Sequence, residues 1–189
     1  MIQYLIVCPL VFVAGLVDSI AGGGGLIALP AYLIAGVPAH MALGTNKMSS
    51  AMGTVVSTAR FARNGYLRGK MLMAACSAAA ALIGSALGAH LALMVSEEII
   101  KHMMIVVLPI VAFYVLRNKD MGENEKTGTI PQVKVFAICI AAAFFIGGYD
   151  GFYGPGTGTF LILILTGAAR LDTRSASAQT KVINLSSNI

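Results

Sequence analysis

An all-α, polytopic membrane protein built from two inverted repeats is the fold class this sequence predicts, and three observations predict it. Of its 189 residues 57% are hydrophobic and only 11% charged, less than half the charged share of an ordinary soluble domain. The apolar residues fall in runs long enough for bilayer crossings, which need roughly 20 residues each. A glycine-rich break preceded by an aspartate occurs twice, at Asp18 and again at Asp150.

The runs follow in order. Residues 4–20 form a first apolar run with no basic residue ahead of it, so it reads as a span and not as a cleaved signal. It ends in Gly22 to Gly25. Residues 26–37 form a shorter run containing Pro30; at about 1.5 Å per residue it is too short to cross alone. Residues 39–60 form the third run, followed by a basic loop with Arg60, Arg63, Arg68 and Lys70. Residues 71–95 are a clean span, and Gly84 with Gly88 has the small-xxx-small spacing that lets helices approach closely in lipid. Ser96 with Glu97 and Glu98 then reads as the capped, acidic start of a helix over 99–116.

Residues 118–134 are a polar linker between a first repeat, 1–117, and an incomplete second repeat, 135–189. The second repeat resumes with an apolar run over 135–149, a break from Gly151 to Gly158, a short run over 159–169, and a last segment starting at Ser175. Asp18 matches Asp150, 132 residues on, and Lys47 matches Lys181, 134 residues on. Paired broken segments of this kind point to a transporter with its site at the repeat interface. The basic 60–70 loop and the linker should lie in the cytoplasm and the Glu97/Glu98 turn outside. Counting spans from there makes the second repeat inverted relative to the first.

Four charged residues stand inside apolar sequence: Asp18, Lys47, Asp150 and Lys181. An ionisable group within the bilayer costs at least a few kcal/mol, so it faces a cavity or a partner. Glycine-broken segments such as those holding Gly24 and Gly156 free backbone N–H groups, and a half-helix N-terminus adds partial positive charge. Lys47 and Lys181 add full charges; Thr45, Asn46, Thr180, Asn184 and Ser186 can add neutral hydrogen bonds. The expected site binds a small oxyanion. Asp18 and Asp150 are expected to pair with the lysines or to carry a proton.

Other chemistry is not expected. Cys8, Cys76 and Cys139 are isolated in apolar sequence, so no metal and no cofactor is implied. His40, His90 and His102 read as span-end residues. The glycine runs do not follow a strand as a dinucleotide fold would require, and Gly44 to Met48 lacks phosphate-loop spacing. No nucleophile–base pair stands out, so the protein is not expected to be an enzyme. The expected partners are a small anionic substrate and the lipid bilayer, not nucleic acid, with the oligomeric state left open.

At these same residues the chain resembles the sulfite exporter TauE/SafE family. The resemblance rests on Asp18 to Ile27, Pro30, Leu43 to Lys47 and Gly53-Thr54, then on Tyr149 to Phe160, Thr180-Lys181, Asn184 and Ser187-Asn188. It implies a multi-pass inner-membrane carrier that exports sulfite or a small organosulfonate or organic anion. The repeat offset applied to Leu116 places a complete second repeat's end near residue 248 (116 plus 132), beyond Ile189. That leaves an alternative expectation, a non-transporting membrane subunit or an inactive truncated carrier.

Overall fold

The computed structural model describes residues 2–21, 23–117 and 130–189. The expected Gly22 and most of the expected linker, residues 118–129, lie outside them. Among the described residues are eight α-helices and no strands: α1 (Ile2–Ala21), α2 (Gly25–Ile34), α3 (Ala39–Arg63), α4 (Met71–Met94), α5 (Glu97–Arg117), α6 (Gln132–Phe152), α7 (Thr157–Gly167) and α8 (Thr173–Ser187).

Helix length separates two kinds of element. α4, with 24 residues, rises about 36 Å and α6, with 21, about 32 Å. Both match a hydrocarbon core of roughly 30 Å. α2 and α7 have 10 and 11 residues and cover only about half of that depth. Each follows one of the two glycine breaks, so the short runs are short helices set into the fold by matching interruptions.

The outer surface is apolar. Leu5, Phe12, Met48, Val55, Leu72, Leu93, Ile105 and Phe145 are all exposed, a distribution that suits contact with lipid tails and not with water. The all-helical architecture, with long apolar helices and this outer face, is that of a helical membrane protein.

Inside, most buried apolar residues fall into two packed groups, and a third, small cluster of Leu67, Ala74 of α4 and Ala178 of α8 takes in Phe61 of α3. One core joins Ala14 of α1, Leu29 and Tyr32 of α2, Ala42 and Leu43 of α3, and Ile100, Met104 and Leu108 of α5. The other joins Met73 and Ala81 of α4, Cys139 and Ala143 of α6, Leu161 and Leu165 of α7, and Ala176 and Ile183 of α8. α4 thus leaves its neighbours in sequence and packs with the second half.

Glycine explains why α4 goes there. A Cβ on Gly84 would overlap Phe144 O, one on Gly88 would overlap Gly148 O, and one on Gly151 would overlap Ser85 O. The expected small-xxx-small face of α4 meets a second one on α6, and the two backbones touch. In lipid, where burying apolar surface gains nothing, such close van der Waals packing is what holds helices together.

Candidate functional site

The two glycine breaks meet in the middle of the fold. A Cβ on Gly25 would lie 3.6 Å from Pro155 Cα and 3.1 Å from Asn46 Nδ2, so the start of α2 lies against the second break. Gly24 is equally confined, because a Cβ there would fall 2.6 Å from Ala14 O and 2.7 Å from Asp18 Cβ. In the second break, Gly154 and Gly156 hold φ of 96° and 83°, a left-handed backbone that glycine adopts without strain. Tyr149 donates from its hydroxyl to Pro155 O at 2.6 Å and so anchors that turn.

Each aspartate secures its own break. Asp18 Oδ1 accepts from Gly24 N at 3.1 Å. Asp150 Oδ1 accepts from Thr157 Oγ1 at 2.8 Å. The second is the more enclosed, with Asp150 only 3% exposed.

The lysines cross between the halves. Lys47, from α3, donates to Asp150 Oδ2 on α6 at 3.4 Å and to Ser187 O on α8 at 3.3 Å. Lys181, from α8, donates to the backbone carbonyl of Asp18 on α1 at 3.1 Å. The repeat register that pairs the motifs in sequence therefore exchanges their lysines in space.

The exchange is not symmetric. Lys47 has a carboxylate partner. Among the described residues, no carboxylate stands within ion-pair distance of Lys181 Nζ, although Lys181 is only 8% exposed. Its positive charge is met by a neutral carbonyl and by the cavity it lines.

That cavity has a volume of about 130 Å³ and is lined by Asp18, Gly24, Asn46, Asp150, Gly156, Lys181 and Asn184 among others. It lies well below the ~300–1,000 Å³ of pockets for drug-sized ligands and suits a small ion. Asn184 is 4% exposed and its Oδ1 has no hydrogen-bond partner among the described residues. An unpaired buried polar atom costs about 1–3 kcal/mol, and Asn184 is the one such residue that also lines the cavity among the described residues.

Seven of the eleven residues expected at the site thus line one cavity; Ser186 does not, and its hydroxyl donates to Val182 O at 3.0 Å. Lys47 touches it through Asp150. Thr45 is exposed and Thr180 is buried with its Oγ1 unpaired, and neither lines the cavity. Both are direct sequence neighbours of lining residues, and a helix turns by about 100° per residue, so adjacency carries a side chain to another face. Sequence reasoning passed over Ser49, Ser50, Gly53 and Ser57, which line the cavity along α3. The signal that finds them is helical spacing from Asn46.

Polar contacts at the helix ends frame the site. Glu97 Oε1 accepts from Ala39 N at 2.8 Å, so the acidic start of α5 also caps α3. At the basic loop, Lys70 donates to Ser175 Oγ at 2.7 Å and stands 3.8 Å from Asp172. Asp172 in turn caps α8 by accepting from Ser175 N at 2.9 Å.

A family model described as Sulfite exporter TauE/SafE matches residues 7–189. The chain is 39% identical over 180 residues to "Probable membrane transporter protein ORF9" of Sinorhizobium sp, a match covering 94% of this chain and 66% of that protein. It is 33% identical over 178 residues to "Probable membrane transporter protein" of Haemophilus influenzae, covering 94% and 68%. With "Probable membrane transporter protein YfcA" of Escherichia coli K12 it shares 31% over 194 aligned positions, covering 100% and 70%. The chain spans about two thirds of the length of the curated relatives it matches. No solved structure matches it.

Proposed function

We infer a function from the premise that this chain belongs to the sulfite exporter TauE/SafE family. It is a helical membrane protein of that transporter family. Our proposal is that it carries sulfite, or a small organosulfonate with the same kind of charged head, across the inner membrane by alternating access. Residues 1–117 and 135–189 act as two inverted repeats, and the linker 118–134 lies in the cytoplasm.

The observation that carries this reading is Lys181. A cation within the membrane costs at least a few kcal/mol unless something compensates it; Lys181 donates to the carbonyl oxygen of Asp18, and among the described residues no carboxylate stands within ion-pair distance. A small anion in the adjoining cavity supplies the missing charge. Asn46 and Asn184 contribute hydrogen bonds, and Gly24 and Gly156 let the backbone approach. Lys47 is neutralised by Asp150 and acts on the anion less directly. Thr45 and Thr180 set the flanks of their lysine helices. Asp18, on the cavity wall, keeps the first glycine break in place by accepting from Gly24 N.

Flux in proteoliposomes tests this. Vesicles loaded with sulfite should lose it through the wild-type chain, and Lys181→Met should reduce the initial rate at least tenfold. Unchanged flux in Lys181→Met rejects the assignment, and absence of any sulfite-dependent flux in the wild type rejects transport by this chain.

A further inference from the structure

The cavity around Lys181 extends past the charged residues. Along α3 its lining runs through Asn46, Ser49, Ser50, Gly53 and Ser57. Steps of three, four, seven and eleven residues keep to one face of a helix that turns every 3.6 residues. The rise from Asn46 to Ser57 is about 16 Å, roughly half of a hydrocarbon core of about 30 Å. α1 forms the facing wall with Val11, Ala14 and Gly15, and a Cβ on Gly15 would meet nothing within 4 Å. At the inner end the two glycine breaks close on each other at Gly25 and Pro155. At the outer end α3 finishes in Arg60 and Arg63, and both are exposed.

The rest of α3 shows what this stripe is not. Its other side carries Met48, Met52 and Val55, exposed large apolar side chains. One helix therefore presents hydroxyls to the cavity and methionines to lipid. A run of serines alone would mean only close packing. The cavity they line also holds the buried amide of Asn184, whose Oδ1 is an unpaired acceptor, and the Nζ of Lys181, a buried cation held only by a hydrogen bond to a neutral carbonyl among the described residues; the amide points to a polar ligand and the cation to a negatively charged one.

We propose that this serine stripe is one wall of a wetted half-channel through which a small anion passes between Lys181 and the arginine end of α3. The identity of the anion rests on the carrier function proposed above; the half-channel itself does not. Hydroxyls suit the task because they donate hydrogen bonds without adding charge. An anion gains partners along the way but is not trapped, since passage requires sites that hold weakly enough to release. Arg60 and Arg63 at the mouth raise the local anion concentration. Ser57, one turn inside Arg60, is the outermost hydroxyl of the path.

Cysteine accessibility tests the proposal. Cys8, Cys76 and Cys139 are replaced by Ala, and single cysteines are placed by Ser49→Cys, Ser57→Cys and Val55→Cys. Membranes opened by freeze–thaw, so that reagent reaches both faces, are treated with a sulfonated, membrane-impermeant maleimide. Ser49→Cys and Ser57→Cys should react at least tenfold faster than Val55→Cys, which lies about half a turn round the helix. Equal rates at all three positions, or no reaction at Ser57→Cys, would overturn the half-channel. Methanesulfonate should slow labelling of Ser49→Cys. Rapid labelling without such protection would uphold the half-channel and count against a sulfonate as its cargo. Should the cysteine-free background fail to fold, the native chain answers the same question. Ser57→Leu should then block labelled methanesulfonate uptake and Val55→Leu leave it intact; equal flux in the two variants overturns the proposal.

Discussion

Breaking the ion pair between Lys47 and Asp150 should cost about as much through either residue alone as through both together. Asp150 is 3% exposed and its Oδ2 lies 3.4 Å from Lys47 Nζ. At that distance and an effective dielectric of 20, the Coulomb attraction is about 5 kcal/mol, which sets a ceiling. Losing one partner of a buried pair strands the other charge, at about 3–5 kcal/mol. Lys47 is partly exposed and keeps a second acceptor in Ser187 O, so Asp150→Asn should fall at the lower end, about 3 kcal/mol. Lys47→Met strands Asp150, which keeps the hydroxyl hydrogen bonds of Thr157 and Ser187 but no cation, and should cost about as much. Both together leave no stranded charge, so the double variant should lose about 3 kcal/mol and not about 6, a coupling of about 3. Thermal unfolding of the purified protein reads this directly, since 1 kcal/mol moves Tm by roughly 2–4 °C at this chain length. Each single variant should melt about 6–12 °C below wild type, and the double variant in the same range. A double variant that drops by the sum of the singles would show that the two side chains do not act as a pair.

Two further predictions test other contacts. Gly88→Ala places a methyl group on Gly148 O of α6, where backbone cannot give way, and should cost at least about 1–3 kcal/mol; Gly44→Ala in α3 meets nothing within 4 Å and should be neutral or gain up to about 1 kcal/mol in helix propensity, so loss of stability by both equally would refute the α4–α6 contact. Burial pushes the Asp172 carboxyl up, but the hydrogen bonds from Ser175 and the charge of Lys70 outweigh it and hold the group below the usual carboxylate range. Its contribution is therefore complete above about pH 4 and is lost as pH falls through the lowered folded value. Melting curves should show Asp172→Asn less stable than wild type at neutral pH and the gap closing below about pH 4, while a constant gap would mean the charge is not what matters.

Much of this was legible in the chain itself. The four charges inside apolar sequence and the two aspartate–glycine breaks identify the site's raw materials, because both are costly in a membrane unless used. The short α2 and α7 could be read from run length alone. What spacing could not convey was partnership. Nothing local tells Lys47 to choose Asp150 over Asp18, or α4 to pack on α6, since those choices depend on glycine faces far apart in sequence. Thr45 and Thr180 lie one or two residues from a lysine in sequence, yet helix rotation keeps both off the cavity wall. Ser57 was readable in principle, but serine is common enough in apolar helices that its phase with Asn46 becomes meaningful only beside a cavity.

The glycine seam between α4 and α6 divides the molecule along a line the repeats do not follow. α4 packs with α6, α7 and α8 in one block, while α1, α2, α3 and α5 share the other core, and Phe61 of α3 joins the two by packing near Ala74 of α4 and Ala178 of α8. The packing groups and the sequence halves are thus different partitions of the same chain, and the turn at residues 64–70 crosses from one block to the other. Between the blocks lie the Lys47–Asp150 pair, the reach of Lys181 to Asp18 and the contact of Gly25 with Pro155. The join between the blocks is thus polar around the cavity and apolar beyond it, where Tyr153 enters the first core and Tyr114 of α5 stacks near Phe160 of α7.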